Sequence, residues 1–72
     1  MPLVQVKLIE NALSSQERER LIAALTDATA SVIGQDVRPY IWVLLEELSS
    51  GDWGIGGSPI TTEAVRTMRG VA

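Results

Sequence analysis

The sequence predicts a small α/β (α+β) domain built on a strand–helix–strand unit with parallel strands. Three observations lead there. After Pro2, residues 3–9 alternate apolar and polar side chains, the period of a half-buried β-strand. Ser14, with Glu17 three residues later, fits a capping box ahead of apolar residues that recur at helical spacing. Residues 40–47 then form a second, mainly apolar run of strand length. A strand, a crossover helix and a strand in that order call for parallel neighbours and a right-handed connection.

In the first strand Val4, Val6 and Leu8 share one face, and Gln5 and Lys7 the other. Proline has no N–H to give a sheet ladder but is tolerated where a strand begins, as Pro2 is placed. The helix is predicted over residues 15–33. Leu21, Ile22, Leu25, Ala28, Thr29, Val32 and Ile33 form its apolar side, with Glu17, Arg18, Arg20 and Asp27 mostly outside. Gly34 follows as a suitable helix terminator. Residues 35–39 read as a short connection in which Pro39 biases Arg38 to an extended conformation.

From Tyr40 to Leu45 the second strand is apolar on both faces, so both faces must be covered. The helix covers one. The other needs a surface that 72 residues do not contain, which predicts another subunit. Val4, Val6, Leu8, Val43 and Leu45 are expected to meet Leu21, Ile22, Leu25, Ala28 and Val32, leaving Trp42 and Leu44 for the other chain. Residues 49–52 form a turn. Trp53-Gly54-Ile55-Gly56-Gly57 suits tight turns or close backbone approach, and lacks the spacing and lysine of a phosphate-binding loop. A short helix is expected near residues 63–69 and a frayed end over 70–72. The chain reads as one domain, 1–72, with 59–72 as a variable tail.

Composition narrows the chemistry. There is no cysteine and no histidine, which excludes disulfides, usual zinc sites and thiol or imidazole catalysis. A net charge of −3 without a basic cluster argues against nucleic acid. No apolar run approaches the ~20 residues that span a bilayer. The first residues do not resemble a signal peptide, and a cytoplasmic protein is expected. Small domains without staples or metal are often stabilised by oligomerisation.

Among the residues that remain, Pro2 has the most distinctive potential. Initiator methionines are usually trimmed before a small residue, and trimming would expose a secondary amine at the tip of a strand. A terminal amine titrates near ~8. Burial or a nearby cation would lower that value towards the range of a general base at neutral pH.

Together, Met1-Pro2, the strand ending Leu8-Ile9-Glu10, the helix opening near Ser14, the apolar strand ending Glu46-Glu47, and Trp53-Gly54-Ile55-Gly56-Gly57 resemble the 4-oxalocrotonate tautomerase family. The similarity covers about residues 2–57. It implies β-α-β subunits that dimerise sheet to sheet and assemble as hexamers, here a homohexamer. It implies no metal or organic cofactor, and keto–enol tautomerisation of a small 2-oxo or enol acid with Pro2 as general base. Trp53 falls where the family places an aromatic residue on the apolar wall of its pocket, and Ile55 joins it as a substrate-binding candidate. The sequence departs from the family where best-known members carry two substrate-gripping arginines: these positions hold Ala12 and Trp42. Arg38 is the nearest replacement cation, Trp42 an apolar pocket or interface residue, and Tyr40 an available hydroxyl. Two alternatives remain open: a catalytically inactive or partner subunit of a mixed oligomer, or a hydratase- or dehalogenase-type relative. The latter would draw on an acid such as Asp36, Glu46, Glu47 or Asp52.

Overall fold

In the computed structural model, which describes residues 2–71, strand β1 (Leu3–Ile9) runs parallel to β2 (Trp42–Leu48). Their register sets Leu3 beside Trp42 and Ile9 beside Leu48. Helix α1 (Ser15–Ile33) makes the crossover. Its start is held by a full capping box: the Glu17 N–H donates to Ser14 Oγ at 3.1 Å, and the Ser14 N–H donates to Glu17 Oε1 at 2.9 Å. This satisfies amides that the first turn cannot pair internally.

Residues 35–40 differ from the expected extended connection. Gln35–Tyr40 is a 3-10 helix with Pro39 inside it. The Val37 N–H reaches Gly34 O at 3.2 Å and the Ile41 N–H reaches Arg38 O at 3.2 Å. The tighter i→i+3 pattern asks nothing of the missing proline donor at this position. As a result β2 begins at Trp42 rather than Tyr40.

After β2 the chain forms a hairpin of β3 (Trp53–Ile55) and β4 (Ser58–Ile60). Its two-residue turn, Gly56-Gly57, has φ of 58° and 86°. Positive φ at both central positions is the primed hairpin geometry, which glycine enters without strain. Helix α2 (Thr62–Met68) follows, capped at its start by Thr61 Oγ1, which accepts from the Ala64 N–H at 3.1 Å. Its end is not frayed through Val71. Gly70, at φ 73°, donates its N–H to Thr67 O, and the Val71 N–H reaches back to Arg66 O, both at 3.0 Å. That double bond pattern is a Schellman cap. Ala72 of the expected frayed end lies outside the described residues.

The inward side of α1 also departs from expectation. Helix α1 packs against both β2 and the 3-10 helix, and its less exposed stripe runs through Leu21, Leu25, Thr26, Thr29 and Ala30. Ile22, Ala28 and Val32 point away, Val32 being 85% exposed. The threonines can take the inner stripe because their hydroxyls are satisfied on the helix itself, donating to Ile22 O and Leu25 O at 2.8 Å each. Their methyl groups are then left to pack.

Among the described residues only Ile9, Ala12 and Ala30 are fully buried hydrophobics. Leu3, Trp42 and Leu44 lie on the sheet face turned from α1 and are exposed. The radius of gyration is 14.6 Å, against roughly 11 Å for a compact chain of this length. The accessible surface is 5163 Å², against roughly 4400 Å² for a folded monomer of this mass. Taken alone, the chain does not close a core.

Leu25 is a large side chain on the less exposed stripe of α1, and it is half-buried. Leu25→Ala is therefore expected to destabilise by about 2 kcal/mol, the low end for such truncations. Urea unfolding at fixed protein concentration checks this, and a neutral result would reassign the inner face of α1.

Candidate active site

The candidate residues separate into two groups, one at each end of β1. At the amino-terminal end Pro2 is half-buried, and its carbonyl accepts the Trp42 N–H at 3.0 Å. Proline needs no ladder donor here because the pairing begins with its acceptor. Trp42 stands next to Pro2 on the neighbouring strand with its side chain 56% exposed, and Tyr40 is exposed at the end of the 3-10 helix. Arg38 is committed elsewhere. Its Nε and Nη2 donate to Asp27 Oδ1 on α1 at 3.0 and 2.8 Å.

At the other end lies a groove of about 290 Å³ with an almost wholly apolar lining. Ile9, Ala12 and Leu13 contribute from the end of β1 and its turn, Trp53, Ile55 and Ile60 from the hairpin, and Val65 and Met68 from α2. Lys7 and Arg69 add two cations to its edge. Trp53 and Ile55 are two residues apart on a strand and so share a face. Both line this groove.

Pro2 and Trp53 do not meet within one chain, contrary to the expectation that Trp53 would wall the proline. Because β1 and β2 are parallel, β2 delivers the hairpin that follows it to the Ile9 end of β1. Pro2 is seven strand steps from Ile9, about 23 Å at ordinary strand rise. The two positions that lack family arginines are divided in the same way. Ala12 is buried in the Trp53 groove, and Trp42 flanks Pro2.

A polar clamp holds the groove together, and its members are far apart in sequence. Arg69, the residue that ends α2, donates through Nη1 to Ala12 O and pairs through Nη2 with Glu17 Oε2. Arg66, one turn earlier, reaches Asn11 O at 3.4 Å, and the Thr62 hydroxyl donates to Glu10 O at 2.6 Å. The turn they grip is itself pinned to β2. Asn11 sits at φ 58°, a left-handed conformation that asparagine tolerates better than most residues. Its N–H donates to Glu47 Oε2 at 3.2 Å, and Arg18 Nη1 pairs with Glu47 Oε1.

These contacts set the charge states of two acids. The Arg69 hydrogen bond, with the Ser14 N–H, lowers the Glu17 carboxyl from 4.5 to about 2. The Asn11 N–H, followed by Arg18, holds Glu47 below its ordinary value. Neither acid is placed as a water-activating base, since each is engaged by an arginine. Sequence reasoning placed Glu17 in the cap but missed Arg66, Arg69 and the Arg69–Glu17 pair, because no local pattern links residues 52 positions apart. Asn11 offered a signal, being a left-handed-tolerant residue just after a strand.

Comparison with known proteins agrees with this architecture. Residues 2–63 match the family model described as "Tautomerase enzyme". A probable tautomerase of Ralstonia nicotianae is 36% identical over 59 residues, covering 82% of this chain and 81% of that protein. Among solved structures, TomN, a 4-oxalocrotonate tautomerase homologue in the tomaymycin biosynthetic pathway, superposes with a TM-score of 0.75 at 31% identity. It covers 93% of this chain and 95% of that one. An apo unfused 4-oxalocrotonate tautomerase gives a TM-score of 0.71 at 32% identity, covering 89% and 98%.

The clamp implies a defined acid limit to stability. Both carboxyls titrate lower in the folded chain than unfolded, so their stabilisation is complete above about 4.5 and falls as the pH drops. For Glu17 the loss ends near pH 2. Melting temperature followed from pH 6 to pH 2 should fall through this window, and Glu17→Gln should flatten part of the fall. An unaltered slope in that variant would remove Glu17 from the account.

Proposed function

The chain belongs to the tautomerase family, and we propose that it is a cofactor-independent keto–enol tautomerase of a small 2-oxo or enol acid, with Pro2 as general base. The observation that carries this reading is the position of Pro2, half-buried at the head of β1 and beginning the segment that matches the family. With Met1 attached, the proline nitrogen is an amide without basicity. Once Met1 is removed it is a secondary amine beside Trp42 and Leu3. An apolar setting disfavours the charged form, so more of the amine is neutral at pH 7.

A neutral Pro2 amine takes the proton from the enol hydroxyl. The O–H electron pair becomes the carbonyl π bond, and the enol double bond takes a proton back from the ammonium at carbon. The base is regenerated and no atom is gained or lost. Positioned proton transfers of this kind contribute ~10²–10⁴-fold each.

Trp53 serves as the apolar wall with Ile55, and the 23 Å separation then means that one substrate is shared between copies: Pro2 from one and the Trp53 groove from another. The exposed Leu3, Trp42 and Leu44 offer a face through which copies can associate, and a homohexamer is the assembly we favour. The substrate follows from the charges. Ala12 and Trp42 cannot pair with an anion, and Arg38 is held by Asp27. A monocarboxylate with an aryl or alkyl body, such as phenylenolpyruvate, leaves fewer charges to desolvate without a partner than a dicarboxylate does.

Two outcomes check this reading. Protein whose amino terminus is blocked so that Met1 stays attached should have no measurable tautomerase turnover, while the trimmed protein is active. Equal, measurable rates would remove Pro2 as the base, and no turnover from either form would point to an inactive or partner subunit. Steady-state kinetics should also show a higher kcat/KM for phenylenolpyruvate than for a dicarboxylate enol such as 2-hydroxymuconate. The reverse order would require a second cation in the site, with Arg38 the first to test.

A further inference from the structure

Helix α2 is held by polar contacts and turns its apolar side chains to the Trp53 groove. The contacts are Arg69 on Ala12 O and Glu17, the Thr62 hydroxyl on Glu10 O, and the Thr62 N–H on Ser50 Oγ. Val65 lines the groove half-buried, and Met68 lines it while staying 69% exposed. We propose that Val65 and Met68 are specificity-determining residues, which with Trp53 and Ile55 form a slot for the uncharged aryl body of the substrate while its acid group stays outside. Both lie beyond residues 2–63, the segment that matches the family. This rests on the functional reading above, and extends it by naming the side chains that select the substrate body.

Size, lining and charge agree on the occupant. The groove holds about 290 Å³, close to the lower end of small-molecule pockets at roughly 300 Å³. Its lining is almost wholly apolar. The two cations that border it are committed to acids. Arg69 lines the groove through its stem, because its guanidinium is taken up by Ala12 O and Glu17. The Lys7 ammonium lies 3.7 Å from Glu46. A carboxylate placed in the groove would lose its hydration and gain no partner. An aryl group gains by leaving water. Met68 suits such a rim, since its unbranched thioether adapts to an incoming ring and makes favourable sulfur–aromatic contacts. A slot of this kind accepts a monocarboxylate body first and rejects a dicarboxylate, whose second acid would have to enter it.

Met68 also supplies the reporter, because it is the single methionine once Met1 is removed. Trimmed protein labelled with ¹³C at the methionine methyl would be titrated by NMR with 3-phenylpropanamide. This uncharged probe undergoes no turnover, so the result does not depend on Pro2. The Met68 methyl signal should shift saturably under the probe's ring, and propanamide, which lacks the ring, should leave it in place. In titration calorimetry Met68→Gln and Val65→Thr should each weaken the probe about fivefold, as apolar contact is lost, and Met68→Leu should keep it. A carboxylate added to the ring of the probe should weaken binding at least about tenfold. Should Val65→Thr not fold, Met68→Gln still decides, its position being mostly exposed. The proposal is overturned if the Met68 methyl ignores the probe, if Met68→Gln binds it as wild type does, or if the ring carboxylate binds equally well. A methyl signal that moves with protein concentration and not with the probe would assign the groove to a second copy, and overturns it too.

Discussion

In the parallel β1–β2 pair, Leu3 stands beside Trp42 and Ile9 beside Leu48, and this register decides what each end of the molecule can do. Parallel strands send their carboxyl ends the same way. The turn after β1, the hairpin after β2 and the returning helix α2 therefore gather at one end, around Ile9, and form a groove. Pro2 is left at the other end with Trp42, Tyr40 and the 3-10 helix. The two groups of candidate residues thus stand at opposite ends of β1, which from Pro2 to Ile9 is about 23 Å long. One sheet face also remains unmet, because α1 covers only the other. Leu3, Trp42 and Leu44 are its exposed apolar residues. Three fully buried hydrophobics among the described residues are a small core for a domain of this size. Both the packing and the placement of candidate residues favour association between copies.

The polar clamp at the groove end has a different role. Helix α2 is short and presents Met68 to solvent, so apolar burial alone does little to hold it. Arg69 on Ala12 and Glu17, Thr62 on Glu10, and the Thr62 N–H on Ser50 Oγ at 2.9 Å fasten it to the turn after β1. Glu47 fastens that turn to β2 through Asn11 and Arg18. These side chains are partly exposed, and exposed ion pairs taken singly contribute little to stability. Their value lies in fixing where the Trp53 hairpin and Arg69 stand relative to Ala12.

Much of this was legible in the sequence, for local reasons. The Ser14–Glu17 box and the apolar spacing gave α1 its limits, residues 15–33. Alternation after Pro2 gave β1, and the doubly apolar run gave β2 with its uncovered face. The glycine-rich segment signalled a tight turn, realised as the Gly56-Gly57 hairpin. What failed was non-local or depended on detail finer than period. Pro39 was read as excluding a helix, but a 3-10 turn tolerates it. Ile22, Ala28 and Val32 were placed inside because they continue the apolar stripe, whereas Thr26, its hydroxyl satisfied on the helix, and Ala30 take the inner side beside the expected Thr29. The tail was read as frayed because chain ends often are, yet Gly70 and Val71 cap the helix. That Pro2 and Trp53 lie at opposite ends of one chain was not legible, because sequence reveals residue types and not which end of a strand they reach. Arg69 was invisible for the same reason: its partners lie more than fifty residues away.

The central claim is that a neutral Pro2 amine carries the proton, and its ionisation can be observed directly. Trimmed protein labelled with ¹⁵N at proline would be titrated by NMR, following the Pro2 nitrogen. The pH dependence of kcat/KM for phenylenolpyruvate would be measured in the same buffers. The account predicts one ionisation common to both curves, lying below that of an ordinary terminal amine near ~8, with the rate rising as the proton leaves. A Pro2 nitrogen that titrates well away from the rate profile, or a rate that does not change across its titration, would contradict it.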